Sequence, residues 1–364
     1  MKSLKPALTA NQAAMLLFIF TTGSSVINIP GPLIGLSHND AWIALLIAWL
    51  CGLLLLVPLV KLAARYPGRS WVQYASTVVG APAAVIVGVL FLIYQIHTAA
   101  AVVLDISLFL NSSLMRETDF WLFIMCIFAA IALTIRVDIG KFAGMFGLLM
   151  GTVIAFLLVI LAFGIPGYHP NLLLPLFHES WRSIAHGAYF AFGFPFGEIA
   201  VFAMILPYVD CGPGSRIGRK LAFALTLSVI ALVCVTLATV MTFGPLAESR
   251  KYSMFEVART IEISDVFQRI EAFIGYAMIV ASFMKATIVT FAANRTLEDL
   301  LRHRQGKLFT FPLALTCAVL ALSIDHRGEA GWNYIVTGVH PVWGLVSAVL
   351  PVLLVYIVSA FRGK

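Results

Sequence analysis

The chain has 364 residues, 61% of them hydrophobic and only 11% charged, with a mean hydropathy of +0.97. About a quarter of a soluble domain's residues carry charge, so this composition excludes a water-facing globule. The formal charge of +7 does not point to nucleic acid, because most of the basic residues lie in short loops between apolar blocks, where membrane orientation accounts for them.

Apolar blocks of the roughly 20 residues that a helix needs to cross a bilayer predict ten spans. They fall near 12–36, 41–60, 83–108, 120–135, 142–165, 184–208, 220–243, 267–291, 308–324 and 340–361. The expected fold is an all-α polytopic membrane protein, a single permease-like domain over residues 1–364. About ten transmembrane helices form a 5+5 inverted-repeat, amino acid transporter-like arrangement, with the first repeat at about 10–165 and the second at about 183–361. The first block is too long for the apolar core of a signal peptide and lacks a small-residue cleavage site, so it reads as a span.

The first span contains Phe20-Thr-Thr-Gly-Ser-Ser-Val-Ile-Asn-Ile-Pro-Gly-Pro32, where a Gly-Ser-Ser run precedes two prolines at mid-span. Proline removes an amide donor and clashes with the preceding turn, which predicts a break hereabouts. The sixth span carries the matching interruption, Phe192-Gly-Phe-Pro-Phe-Gly-Glu198, and Pro30 and Pro195 are separated by close to half the chain. Open backbone at membrane depth survives only where protein encloses it or it lines a cavity. Paired breaks therefore predict a small charged ligand held near the midplane by freed amides and half-helix dipoles. The candidate binding residues are Gly23, Ser24, Ser25, Val26 and Ile27 in the first span and Phe194, Pro195, Phe196 and Gly197 in the sixth.

Ionisable residues inside spans are costly and mark functional candidates. In the third span His97 reads as an interior histidine, and Asp105 lies toward the end away from the termini. Glu198 follows the second break, placed either to titrate against bound substrate or to cap a half-helix. Lys285 is the one basic residue deep inside a span. Its ammonium is expected at carbonyls freed over Gly23–Val26, where related transporters hold sodium; the alternative is a lysine snorkelling to the near interface. In the fifth span Gly140, Gly144, Gly147 and Gly151 share one face, predicting close helix packing. In the 245–270 loop, Met254–Ile263 has the spacing of a short amphipathic helix over the bundle's mouth.

Ten spans put both termini on one side. Sixteen basic residues fall on that side: Lys2, Lys5, Lys61, Arg65, Arg69, Arg136, Lys141, Arg216, Arg219, Lys220, Arg295, Arg302, Arg304, Lys307, Arg362 and Lys364. The opposite side holds seven: Arg116, Arg182, Arg250, Lys251, Arg259, Arg269 and Arg327. The positive-inside rule then makes both termini cytoplasmic. The five cysteines form no CxxC pair, and neither a metal site nor a cofactor is expected. His178-Glu-Ser-Trp-Arg182 lacks the second histidine of HExxH, and GxSxG, P-loop and GxGxxG motifs are missing, so no enzyme is indicated.

The ordered set Gly23-Ser-Ser-Val-Ile-Asn-Ile-Pro-Gly-Pro-Leu33, Asp40-Ala-Trp42, Arg65-Tyr-Pro-Gly-Arg-Ser70, Asn171-Leu-Leu-Leu-Pro175, Phe194-Pro-Phe-Gly-Glu198, Asp265-Val-Phe-Gln-Arg-Ile-Glu-Ala272 and Phe283-Met-Lys285 resembles the spore germination permease family. That family comprises the B subunits of nutrient germinant receptors in endospore-forming bacteria, within the amino acid–polyamine–organocation superfamily. The resemblance covers nearly the whole chain; Leu114–Thr118 and Ala258–Asp265 follow the pattern loosely. It implies a receptor subunit in the spore inner membrane that binds a small nutrient such as an amino acid and signals to an A subunit and a lipoprotein C subunit. The competing expectation is an amino acid–proton symporter, with Lys285 or Glu198 titrating.

Overall fold

The computed structural model describes residues 6–212, 214–261, 270–303, 308–325 and 334–362, and they are almost wholly helical. Among the described residues eight helices are long and apolar enough to cross a membrane, and the shorter apolar helices Phe120–Thr134 and Thr310–Ile324 stand in the fourth and ninth places. The chain is thus a multi-pass membrane protein, with ten apolar helical segments among the described residues. Part of the Asp265–Ala272 motif and several residues in the charge count (Lys2, Lys5, Arg269, Arg304, Lys307, Arg327 and Lys364) lie outside the described residues.

The first span starts at a reciprocal cap. Thr9 Oγ1 accepts from the Gln12 amide at 3.2 Å, and Gln12 Oε1 accepts from the Thr9 amide at 2.9 Å, satisfying two of the donors that a helix start leaves open. Helix Ala10–Thr22 stops at Gly23 (φ −32°, ψ −89°); one turn, Ser25–Asn28, follows, and then helix Pro30–Ser37. The break therefore sits at the Gly-Ser pair, ahead of the prolines. Pro30 and Pro32 begin the next helix, where a missing amide costs nothing. Glycine is needed at 23 because a Cβ there would lie 2.8 Å from the Ile19 carbonyl oxygen and 2.9 Å from that of Ala281 on the eighth span.

The sixth span breaks for a different reason. Helix Trp181–Ala191 gives way over Phe192–Phe196, where Phe194 is extended (φ −146°, ψ 108°). A residue before proline is driven out of the helical region by the ring, and Phe194 precedes Pro195. Tighter turns continue over Gly197–Met204 and Leu206–Tyr208.

The two broken spans touch at mid-depth, with the Phe20 and Phe202 rings edge-to-face at 5.4 Å. On the termini side the bundle is closed. The Ala7 and Leu8 amides both donate to the Tyr208 carbonyl, at 2.9 and 3.0 Å, tying the segment before the first span to the end of the sixth. Nearer mid-depth the Thr21 and Ser228 hydroxyls meet at 2.6 Å and join the first span to the seventh. On the opposite side, helix Ser253–Arg259 lies over the bundle with Met254, Phe255, Val257 and Ala258 buried, in keeping with the amphipathic spacing. The glycine face of the fifth span is only half used: Gly140 backs onto the Ala7 carbonyl and Gly147 onto Met15, whereas Gly144 and Gly151 face open space.

Candidate functional site

A cavity of about 70 Å3 lies between the two breaks and the side away from the termini. Ser24 and Asn28 of the first break, Phe194 and Glu198 of the second, His97 and Asp105 of the third span and His340 of the tenth contribute to its wall. Lys251, from the turn before helix Ser253–Arg259, completes the lining. Thr98 and apolar side chains (Ile335, Val336, Ala101, Val102 and Pro32) cover the rest. A chamber in which polar side chains converge among apolar ones has the form of a small-molecule site.

A row of ionisable side chains runs from the cavity wall into the bundle. Glu198, 1% exposed, receives the Lys285 ammonium on Oε2 at 2.6 Å and His340 Nε2 against Oε1 at 3.2 Å. The ammonium also lies 4.0 Å from the Phe194 ring centroid and 5.3 Å from that of Phe20, positions where the ring faces favour a cation. The His340 ring stacks 5.7 Å from His97 and 5.8 Å from Tyr94. A buried charge is retained when it has a partner, and here Lys285 has an ion pair at 2.6 Å and the faces of two rings. Its ammonium turns to Glu198, not to the first-span carbonyls or the interface. At the far end Asn28 Nδ2 donates to the Asp105 carboxylate, and the Tyr252 hydroxyl donates to the Asp105 carbonyl at 3.5 Å.

The residues expected to bind ligand separate into three groups. Ser24 and Phe194 face this cavity, as do Glu198 and Asp105. Gly23, Val26 and Ile27 point the other way, into an apolar crevice behind the break. Ser25, Pro195, Phe196 and Gly197 are packed in the core, with Phe196 against Gly52. The Ser24 hydroxyl is 1% exposed and, like Asn28 Oδ1, is buried without a hydrogen-bond partner. Unsatisfied buried polar atoms are rare in folded proteins and call for an explanation.

Asn28, Lys251 and His340 were not anticipated from the sequence. The tenth span was expected to start at residue 340, which leaves that histidine at the membrane interface. The helix instead starts at Ile335 and carries His340 more than a turn inward. An ionisable residue inside an apolar block is itself the signal, and only the boundary concealed it.

Ten spans with the first and sixth broken around a central chamber constitute a transporter-like fold. A solved Na+-coupled sialic acid symporter superposes with a TM-score of 0.67 over 94% of this chain and 79% of its own, at 12% identity. A mutant of the Eremococcus coleocola manganese transporter gives 0.61 over 95% of this chain and 78% of its own, at 14% identity. A sequence profile described as "Spore germination protein" matches residues 7–327, and the chain belongs to that family. Spore germination protein KB of Bacillus subtilis is 23% identical over 371 residues, covering 99% of this chain and 96% of the relative.

Proposed function

We propose that this protein is the membrane subunit of a nutrient germinant receptor. A small nutrient of amino-acid type binds between the two breaks, and occupancy is signalled to an A subunit and a lipoprotein C subunit. The protein sits in the spore inner membrane with both termini cytoplasmic and carries out no catalysis. Its two five-span halves, at about 10–165 and 183–361, act as the moving units. The observation that carries this reading is the unpartnered Ser24 hydroxyl and Asn28 Oδ1 on the cavity wall, since a ligand that hydrogen-bonds there recovers what burial has cost. Binding transmits a signal only if the ligand prefers one bundle arrangement over another.

The test is thermal melting of the purified protein against a panel of L-amino acids. One or more should stabilise it saturably, by about 2.7 kcal/mol at a hundredfold excess over Kd. Asn28→Leu should abolish that shift. A flat panel, or a shift indifferent to Asn28→Leu, rejects the site. The row Lys285–Glu198–His340 favours a second reading, an amino acid–proton symporter; accumulation of labelled amino acid in proteoliposomes under a pH gradient would establish it.

A further inference from the structure

A second cavity, of about 220 Å3, lies behind the first break. Its floor is Gly23, Val26 and Ile27 together with Ile274 and Ala277 of the eighth span, all buried. Its rim is Leu158 of the fifth span with Leu227 and Ile230 of the seventh, 59%, 41% and 52% exposed. These rim side chains point outward from helices that cross the bilayer, so the crevice opens onto hydrocarbon.

The lining offers almost nothing polar. The Thr22 hydroxyl is already committed to the Phe18 carbonyl at 2.5 Å within its own helix, and a buried water needs two to four polar partners. An empty apolar crevice forfeits the dispersion contacts that its walls would otherwise make. A transmembrane helix of a partner, about 10–12 Å across with its side chains, is too thick to enter. A single alkyl chain fits.

We propose that the crevice is a binding site for one acyl chain of a membrane lipid, inserted between the fifth and seventh spans and ending against the first break. The same short segment then separates two chambers. Ser24 and Asn28 face the polar one, whereas Gly23, Val26 and Ile27 face the apolar one. On its third side the segment is pinned, because Gly23 packs directly on the Ala281 carbonyl. The inserted chain fills the space into which residues 23–28 have room to move. The site does not depend on what the polar cavity binds.

The experiment reconstitutes the full chain in nanodiscs of phosphatidylcholine carrying a diazirine near the end of one acyl chain. After photolysis, adducts are mapped by mass spectrometry. Adducts are expected on the floor residues Val26, Ile27, Ile274 and Ala277 as well as on the rim. Ala231→Phe, which places a ring in the crevice, should lose the floor adducts and keep those on the rim. Ile154→Phe, from the opposite wall, gives the same readout should the first variant fail to melt cooperatively. Adducts confined to the rim in the unmodified protein overturn the proposal, as do floor adducts that persist in a well-folded filled variant.

Discussion

Lys285 and Glu198 illustrate how far a single residue can be read from sequence. A lysine within an apolar span demands a partner, and that much follows from the cost of a lone charge in hydrocarbon. Which partner it takes depends on how the sixth and eighth spans meet, and no local pattern encodes that. The contact at 2.6 Å leads to a definite outcome in a mutant cycle. Removing one partner from a buried pair leaves an uncompensated charge and costs about 3–5 kcal/mol. Lys285→Met and Glu198→Gln should each lower the melting temperature of the purified protein sharply. The double variant should recover most of the loss, since replacing both charges is often close to neutral. Additive losses in the double variant would mean that the two side chains act separately.

At the scale of elements, the breaks were legible because they rest on local chemistry. Phe194 leaves the helix because Pro195 follows it, and the first span stops at a Gly-Ser pair that favours helices poorly. The assignment of break residues to one binding face was not legible. Facing directions depend on the rotation of a four-residue turn, and that turn sends Val26 and Ile27 away from Ser24 and Asn28. The sixth span's wide turn is held against the tenth by Gly193, where a Cβ would lie 2.4 Å from the Pro341 side chain. Pro341 adjoins His340, so Gly193→Ala should push the tenth span outward and lengthen the 3.2 Å contact from His340 to Glu198. Forced packing of this kind costs about 1–3 kcal/mol. A melting temperature equal to that of the parent protein would show that the two spans have slack between them.

For the whole molecule, the span count and the common side of both termini followed from hydropathy and loop charge, which act independently of packing. Arg65 Nη1 donates to the Ser359 carbonyl at 2.8 Å, joining the end of the second span to the end of the tenth. The segment before the first span pairs with the end of the sixth. Both contacts sit on the face richer in basic residues. A reporter fused after Lys364 and active only in the cytoplasm should therefore be active, and its extracellular counterpart silent; the reverse result would invert the orientation. The central ion pair bears on how this bundle responds to voltage. A transmembrane potential works on net charge, at about 2.3 kcal/mol per elementary charge per 100 mV. Lys285 and Glu198 displaced together carry no net charge through the field, so the joined pair itself adds no voltage dependence to a rearrangement.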